Sequence, residues 1–121
     1  MQIIKLNAID STNRYLADLV SKIPLKDYAV VMAQYQSAGQ GQRGSNWQSK
    51  KGKNLIISIL KKNIKTKVQY QFEINMRVSM AILITLKIFG ISNLSVKWPN
   101  DILSDNKKIS GVLIQLLTKK Q

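Results

Sequence analysis

Apolar and polar positions along the chain fall into short compact runs and one longer stretch, and this spacing predicts most of the elements. Ile3–Leu6 reads as a short strand. Asp10-Ser11-Thr12-Asn13 offers several side chains able to cap a helix. Tyr15, Leu16, Leu19 and Val20 follow at the spacing of one helical face, and Pro24 ends that helix. Tyr28–Tyr35 is an apolar run of strand length, and it is expected to be buried. Gln36–Lys53 holds Gly39, Gly41, Gly44 and Gly52 among polar residues and reads as a long loop. Asn54–Leu60 (NLIISIL) reads as a second buried strand and Lys61–Lys67 as a basic turn. Gln71–Phe89 predicts the longest helix, with Phe72, Met76, Ser79, Met80, Leu83 and Leu86 along one stripe and Gly90 just past its end. Leu94–Lys97 predicts a short strand. Ile102–Ser104 and Ile109–Leu117 form a hairpin around Asp105-Asn106-Lys107. The order β-α-β-loop-β-α-β-β-β indicates an α+β fold, a mixed β-sheet with helices mainly on one face.

Composition narrows the chemistry. The chain has 121 residues, 45% of them hydrophobic, which suits one domain (1–121) with its own core. The most apolar stretch, Met80–Phe89, is shorter than a membrane span and is interrupted by Thr85 and Lys87. The N-terminus MQIIKLNAID lacks the pattern of a signal peptide, so the expected location is the cytoplasm, with no membrane partner. There is no cysteine and no histidine. That excludes disulfides, thiolate or imidazole metal sites, an imidazole general base and a Ser-His-Asp triad. Catalysis is left to lysine, arginine, carboxylates and backbone amides. The net charge of +13 admits two readings, a polyanionic partner or a solvated lysine-rich surface. The nineteen basic residues include only the arginines Arg14, Arg43 and Arg77, which weighs against sequence-reading of DNA.

Three segments could carry chemistry, and each also has a plain structural reading. In Gln36-Ser37-Ala38-Gly39-Gln40-Gly41-Gln42-Arg43-Gly44, alternate glycines let the backbone approach a ligand, and Arg43 adds a planar cationic fork. The segment lacks the lysine and hydroxyl of a P-loop, and no helical pattern follows it as in a dinucleotide fingerprint. Alone it could be a flexible loop. Trp47 could stack on a flat ligand or cap the core. In Lys97-Trp98-Pro99-Asn100-Asp101, a lysine held and partly desolvated at a strand end can stabilise developing negative charge. Asp101 can take a divalent cation or pair with Lys97. Ser11-Thr12-Asn13 is a plain N-cap or a ligand site at a helix N-terminus.

Taken in order, Ser-Thr-Asn at a helix start, Gln-x-x-Gly-x-Gly-x-Arg-Gly-x-x-Trp after a strand, and Lys-Trp-Pro-Asn-Asp with Lys-x-x-Gly soon after resemble the biotin–protein ligase family from Ser11 to Gln115. The resemblance implies a fold of the class II aminoacyl-tRNA-synthetase/biotin-protein-ligase type. It also implies ATP-dependent formation of biotinyl-5′-AMP, with magnesium on the leaving pyrophosphate, then transfer of biotin to a lysine of a biotin carboxyl carrier domain. That carrier would belong to acetyl-CoA carboxylase or another biotin-dependent carboxylase. Carried over by motif, Ser11, Thr12, Asn13 and Gln36 would bind biotin, the first three at its ureido ring. Gly39, Gln40, Gly41 and Gln42 would close over biotin and the acyl phosphate. Lys97 and Arg43 would act on the charge developing there, and Lys97 would also contact biotin. Arg43, Trp47, Asn100 and Lys108 would bind the nucleotide, and Asp101 would help hold magnesium. Many relatives carry basic residues where Gln40 and Gln42 stand, and glutamate at Gln115. Relatives also continue into a Gly- and Asn-rich strand and a small C-terminal barrel. The chain is therefore expected to be the N-terminal portion of the catalytic domain, without that barrel and without a DNA-binding domain. The resemblance allows a homodimer and implies no specific nucleic acid. Two other readings stand beside it: a truncated, weakly active or inactive remnant of the family, and a small basic nucleic-acid-binding protein.

Overall fold

A computed structural model describes residues 1–64 and 70–117. Among the described residues they divide into two compact units, the first over Met1–Ile64 with Leu117 and the second running from Tyr70 to Leu116. Of the expected basic turn, residues 65–67 lie outside the described residues.

The first unit is a mixed three-stranded sheet with one helix against it. Strands β1 (Ile3–Ile9) and β2 (Val30–Gln36) are parallel, so a crossover must join them, and helix α1 (Thr12–Val20) supplies it. Ser11 is the N-cap residue; its backbone is extended, and its hydroxyl accepts from the Arg14 amide at 3.2 Å. A cap of this kind is worth about 1 kcal/mol. The helix ends at Val20, ahead of Pro24, and Ile23 still donates to Leu19 at 3.0 Å. Proline lacks the N–H that would bond the next carbonyl, so it limits the run without being its last residue. Leu16 of α1 packs with Leu25, Ala29, Val31 and Leu60, flanked by Ile4, Leu6, Tyr15, Leu19 and Val20. The apolar face read for this helix is therefore the face that is buried.

β5 (Ile56–Ile59) pairs antiparallel with β2. It is not buried on both sides, as its apolar run suggested. Ser58 stands opposite Val31 and is 5% exposed, whereas Ile57 and Ile59 are exposed. Side chains alternate along a strand, so the register that turns Ser58 toward the α1 side turns both isoleucines away. The expected loop Gln36–Lys53 contains a small hairpin. β3 (Gly39–Gln40) and β4 (Asn46–Trp47) pair with Gly39 opposite Trp47, and a 3-10 turn at Gln42–Gly44 joins them. Arg43 (φ 54) and Gly44 (φ 77) reverse the chain in the left-handed region.

In the second unit, helix α2 (Gln71–Ile88) lies against an antiparallel sheet of β6 (Leu94–Lys97), β7 (Asp101–Ser104) and β8 (Lys107–Gly111). The buried residues of α2 are Asn75 and Ser79, while Phe72 and Met80 from the expected stripe are exposed. Apolar residues occupy every side of this helix, so their period does not select a face. Ser79 does, by donating its hydroxyl to the Pro99 carbonyl at 2.9 Å. The β7–β8 turn is the two-residue Asp105-Asn106, both left-handed (φ 49 and φ 64). Lys107 belongs to β8, which ends at Gly111, well before the expected Leu117. The Trp98–Pro99 peptide is cis.

Candidate functional site

The parallel pairing of β1 and β2 places Ile9 opposite Gln36, so the start of α1 and the end of β2 meet at the same end of the sheet. There the Thr12 amide donates to the Gln36 side-chain oxygen at 2.8 Å, with the Thr12 hydroxyl 3.2 Å from the same oxygen. That hydroxyl also lies 2.7 Å from the Ser58 hydroxyl, and Ser58 donates to the Asn13 side-chain oxygen. Ser11, Thr12 and Ser58 are all buried, at 2%, 3% and 5% exposure, while Asn13 and Gln36 are half-buried. Polar groups are removed from water without cost only when their hydrogen bonds are made, and here they are made to one another. The helix N-terminus adds a partial positive charge to the same spot.

The glycine-rich hairpin is tied to this cluster through its backbone. Ser37 donates to the Ile9 carbonyl at 3.0 Å and Ala38 to the Asp10 carbonyl at 2.8 Å. The far side of Gln36 is held by Ser49, whose hydroxyl lies 3.3 Å from both the Gln36 amide and its carbonyl. Gly39 and Gly41 are required by close approach. A Cβ at Gly39 would meet the Gln36 side-chain nitrogen at 2.6 Å and the Trp47 carbonyl at 2.8 Å. A Cβ at Gly41 would meet the Trp47 indole nitrogen at 2.5 Å. Trp47 is thus half-buried beneath the glycines, an arrangement between the core cap and the open stacking ring that its sequence setting allows. Gln42 is half-buried, and Gln40 and Arg43 are exposed.

The second unit holds the other candidates. Lys97 ends β6 on its outward register and is exposed, as is its neighbour Trp98, so the expected desolvation of this lysine does not occur within the sheet. Asp101 stands opposite Lys97, but its carboxylate pairs with Lys108 across the β7–β8 ladder at 3.2 Å. Asn100 is 8% exposed and clasps Val112, its side-chain nitrogen donating to the Val112 carbonyl and its own carbonyl accepting from the Val112 amide at 3.2 Å. Its side chain braces the corner of the Lys97–Asp101 segment. Among the described residues, no group of three or more carboxylates could hold a metal. The Asp101 carboxylate, expected to take a divalent cation, is engaged by the Lys108 ammonium in this structure. Nor is any described helix long and apolar enough to cross a membrane.

Ser58 was not singled out from the sequence. The available signal was one hydroxyl inside the apolar run NLIISIL, at the parity that faces α1.

The sequence pattern of the Biotin/lipoate A/B protein ligase family matches residues 6–121. The chain is 32% identical over 114 residues to the bifunctional ligase/repressor BirA of Escherichia coli, covering 94% of this chain and 35% of that protein. It is also 32% identical over 109 residues to the biotin–protein ligase of Homo sapiens, covering 86% of this chain and 15% of that protein. Its fold matches the biotin protein ligase of Aquifex aeolicus in complex with biotin and ATP, with a TM-score of 0.79 and 27% identity over 95% of this chain and 47% of that one. The biotin acetyl coenzyme A carboxylase synthetase of Helicobacter pylori with bound biotinylated ATP gives a TM-score of 0.71 and 25% identity, over 96% of this chain and 55% of that one. The chain thus spans about a third of the bacterial curated relative and about half of these solved structures.

Proposed function

Because the chain belongs to the Biotin/lipoate A/B protein ligase family, we propose that it is the substrate-binding part of a biotin–protein ligase. The reaction joins the biotin carboxylate to the α-phosphate of ATP with release of pyrophosphate. The resulting biotinyl-5′-AMP then passes its acyl group to a lysine amine of a carrier domain, releasing AMP. A biotin carboxyl carrier domain of acetyl-CoA carboxylase or a similar carboxylase is the acceptor. Magnesium enters with the phosphates of ATP as part of the substrate.

The observation that carries this reading is the buried polar cluster of Ser11, Thr12, Asn13, Gln36 and Ser58. The lipoyl tail of the family's other substrate class has no polar head to exchange hydrogen bonds with these groups, whereas the ureido ring of biotin offers two N–H donors and a carbonyl. Gly39, Gln40, Gly41 and Gln42 close over the ring and the acyl phosphate, their hairpin set by the close packing of Gly39 and Gly41 against Gln36 and Trp47. Lys97 and Arg43 offset negative charge on the phosphate oxygens as the anhydride forms. Trp47, Asn100 and Lys108 serve the nucleotide, with Asn100 acting through the corner it braces. Such chemistry depends on positioning and fixed cations and uses no histidine.

Incubating the protein with biotin, magnesium and labelled ATP tests the proposal. Pyrophosphate release that depends on biotin and falls at least tenfold in Lys97→Ala is expected. Release driven equally by lipoate would assign the chain to the other branch of the family.

A further inference from the structure

Helix α2 turns a polar stripe inward. Gln71, Asn75 and Ser79 stand four residues apart and share one face, and Asn75 and Ser79 are the buried residues of the helix. The Gln71 side-chain amide donates to the Ile114 carbonyl at 3.3 Å, and the Ser79 hydroxyl donates to the Pro99 carbonyl at 2.9 Å. Trp98, Pro99 and Asn100 join β6 to β7, whose last register pair is Lys97 and Asp101. Asn100, next to Pro99, is buried and exchanges two hydrogen bonds with Val112, the residue that follows β8. The turn is thus held at consecutive residues, Pro99 by the helix and Asn100 by the strand end. Short connections ordinarily lie in solvent and tolerate change. This one is pinned from two sides, and Lys97 stands at its start. Among the described residues no carboxylate pairs with the Lys97 ammonium, because Asp101 across the ladder is taken by Lys108.

We propose that Ser79 is a positioning residue for the adenylation step: by donating to the Pro99 carbonyl, it fixes the turn from which Lys97 reaches the phosphate. This role rests on the ligase reading above and on the place of Lys97 in it. A lysine ammonium rides on a flexible four-carbon stem, so what the fold controls is the root of that stem. A shift of about 1 Å there is enough to cost a positioned group up to about 100-fold in rate. Ser79 meets no substrate in this role and acts only through the backbone two residues from Lys97. Alanine at this position removes the donor with little change of volume and leaves the Pro99 carbonyl without its helix partner. Asn100 keeps its own bonds to Val112, so the turn is expected to shift and not to unfold.

A double-mutant cycle with Lys97 separates this role from plain packing. Biotin-dependent pyrophosphate release is measured on the full chain with magnesium, biotin and ATP for wild type, Ser79→Ala, Lys97→Ala and the double variant, with thermal melts alongside. Ser79→Ala is expected to lower kcat about tenfold and to change the KM for biotin by less than about threefold, because the loss falls on charge that develops only as the anhydride forms. In the Lys97→Ala background the same change is expected to cost less than about twofold, since the group it positions is gone. Ser79→Cys, which keeps the size and a weak donor, is expected to fall between wild type and alanine, and it carries the comparison should the alanine variant unfold. An equal loss in both backgrounds, or no loss in either, would overturn the role of Ser79. A Lys97→Ala variant as active as wild type would overturn the place of Lys97, and a wild type without biotin-dependent release would overturn the ligase reading, each taking the role of Ser79 with it.

Discussion

At Gly39, a methyl group would lie 2.6 Å from the Gln36 amino group and 2.8 Å from the Trp47 carbonyl, and neither can retreat without breaking the cluster or the hairpin. At Gly44 a methyl would meet nothing within 4 Å, but the backbone there is left-handed, with φ at +77. The two glycines are therefore kept for different reasons, and alanine separates them. Gly39→Ala is expected to displace Gln36 and lower biotin affinity at least tenfold, with overpacking that costs about 1–3 kcal/mol. Gly44→Ala is expected to cost roughly 1 kcal/mol of stability through backbone strain alone and to leave biotin affinity unchanged. Thermal melts paired with calorimetric titration distinguish them, and equal affinities in both variants would show that the hairpin does not reach the ligand. Ser11, Thr12, Asn13, Gln36 and the glycines were legible in the sequence because their types and order form a motif. Ser58 was not, because a single hydroxyl in an apolar strand declares itself only once register is known. The partner of Asp101 was also hidden. Its spacing allows Lys97, but the bulged β7–β8 pairing brings Lys108 to it.

Elements read well where one face was apolar and poorly where all faces were. Helix α1 shows its buried side in the sequence, whereas α2 is apolar around its whole circumference and is oriented by polar contacts. Ser79→Val is expected to destabilise the second unit by about 1–3 kcal/mol, because it leaves the Pro99 carbonyl without its donor and adds methyls at a 1% exposed site. Met80→Gln, at a 39% exposed site one residue along, is expected to stay within about 0.5 kcal/mol. Denaturant melts of both variants check this assignment of faces, which the reverse order of effects would refute. The hairpin of β3 and β4 escaped the sequence pattern because two-residue strands leave no period to read. Where β5 ends beside the start of β2, the chain holds a pH-sensitive clip. Asp27 accepts from the Lys61 ammonium at 2.6 Å and from the Lys62 amide at 2.7 Å, and these bonds hold its carboxyl below the usual carboxylate range. A carboxylate with a depressed pKa contributes stability above its unfolded value near 3.8 and loses it as the pH falls through the lower folded value. The gap in melting temperature between wild type and Asp27→Asn is therefore expected to be full at neutral pH and to close in acid. A gap that persists in strong acid would mean the clip acts through shape alone.

For the chain as a whole, the question is what a net charge of +13 serves. The ion pairs Arg14–Asp10, Lys22–Asp18, Lys61–Asp27 and Arg77–Glu73 join largely exposed side chains, and with six acidic residues in all, most of the basic excess faces solvent. Exposed charge of one sign acts at long range and is screened by salt, so it changes encounter rates more than the chemistry at a bound site. In the proposed site biotin would meet a network of neutral hydrogen bonds through its uncharged ring, and its affinity is expected to depend little on ionic strength. ATP and a carrier domain with an acidic surface, the substrates of the proposed reaction, would approach as anions, and their second-order rate constants are expected to fall as salt rises from about 50 to 300 mM. A polyanion such as duplex DNA would show a steeper fall, since each neutralised phosphate releases condensed counterions, and with only three arginines the binding should carry no sequence preference. The decisive measurement compares the three on one salt axis. Flat biotin affinity, a moderate decline in kcat/KM for ATP and carrier, and DNA affinity that vanishes near physiological salt assign the charge to substrate capture. Tight DNA binding that survives physiological salt and discriminates among sequences would overturn that assignment and make nucleic acid a partner in its own right.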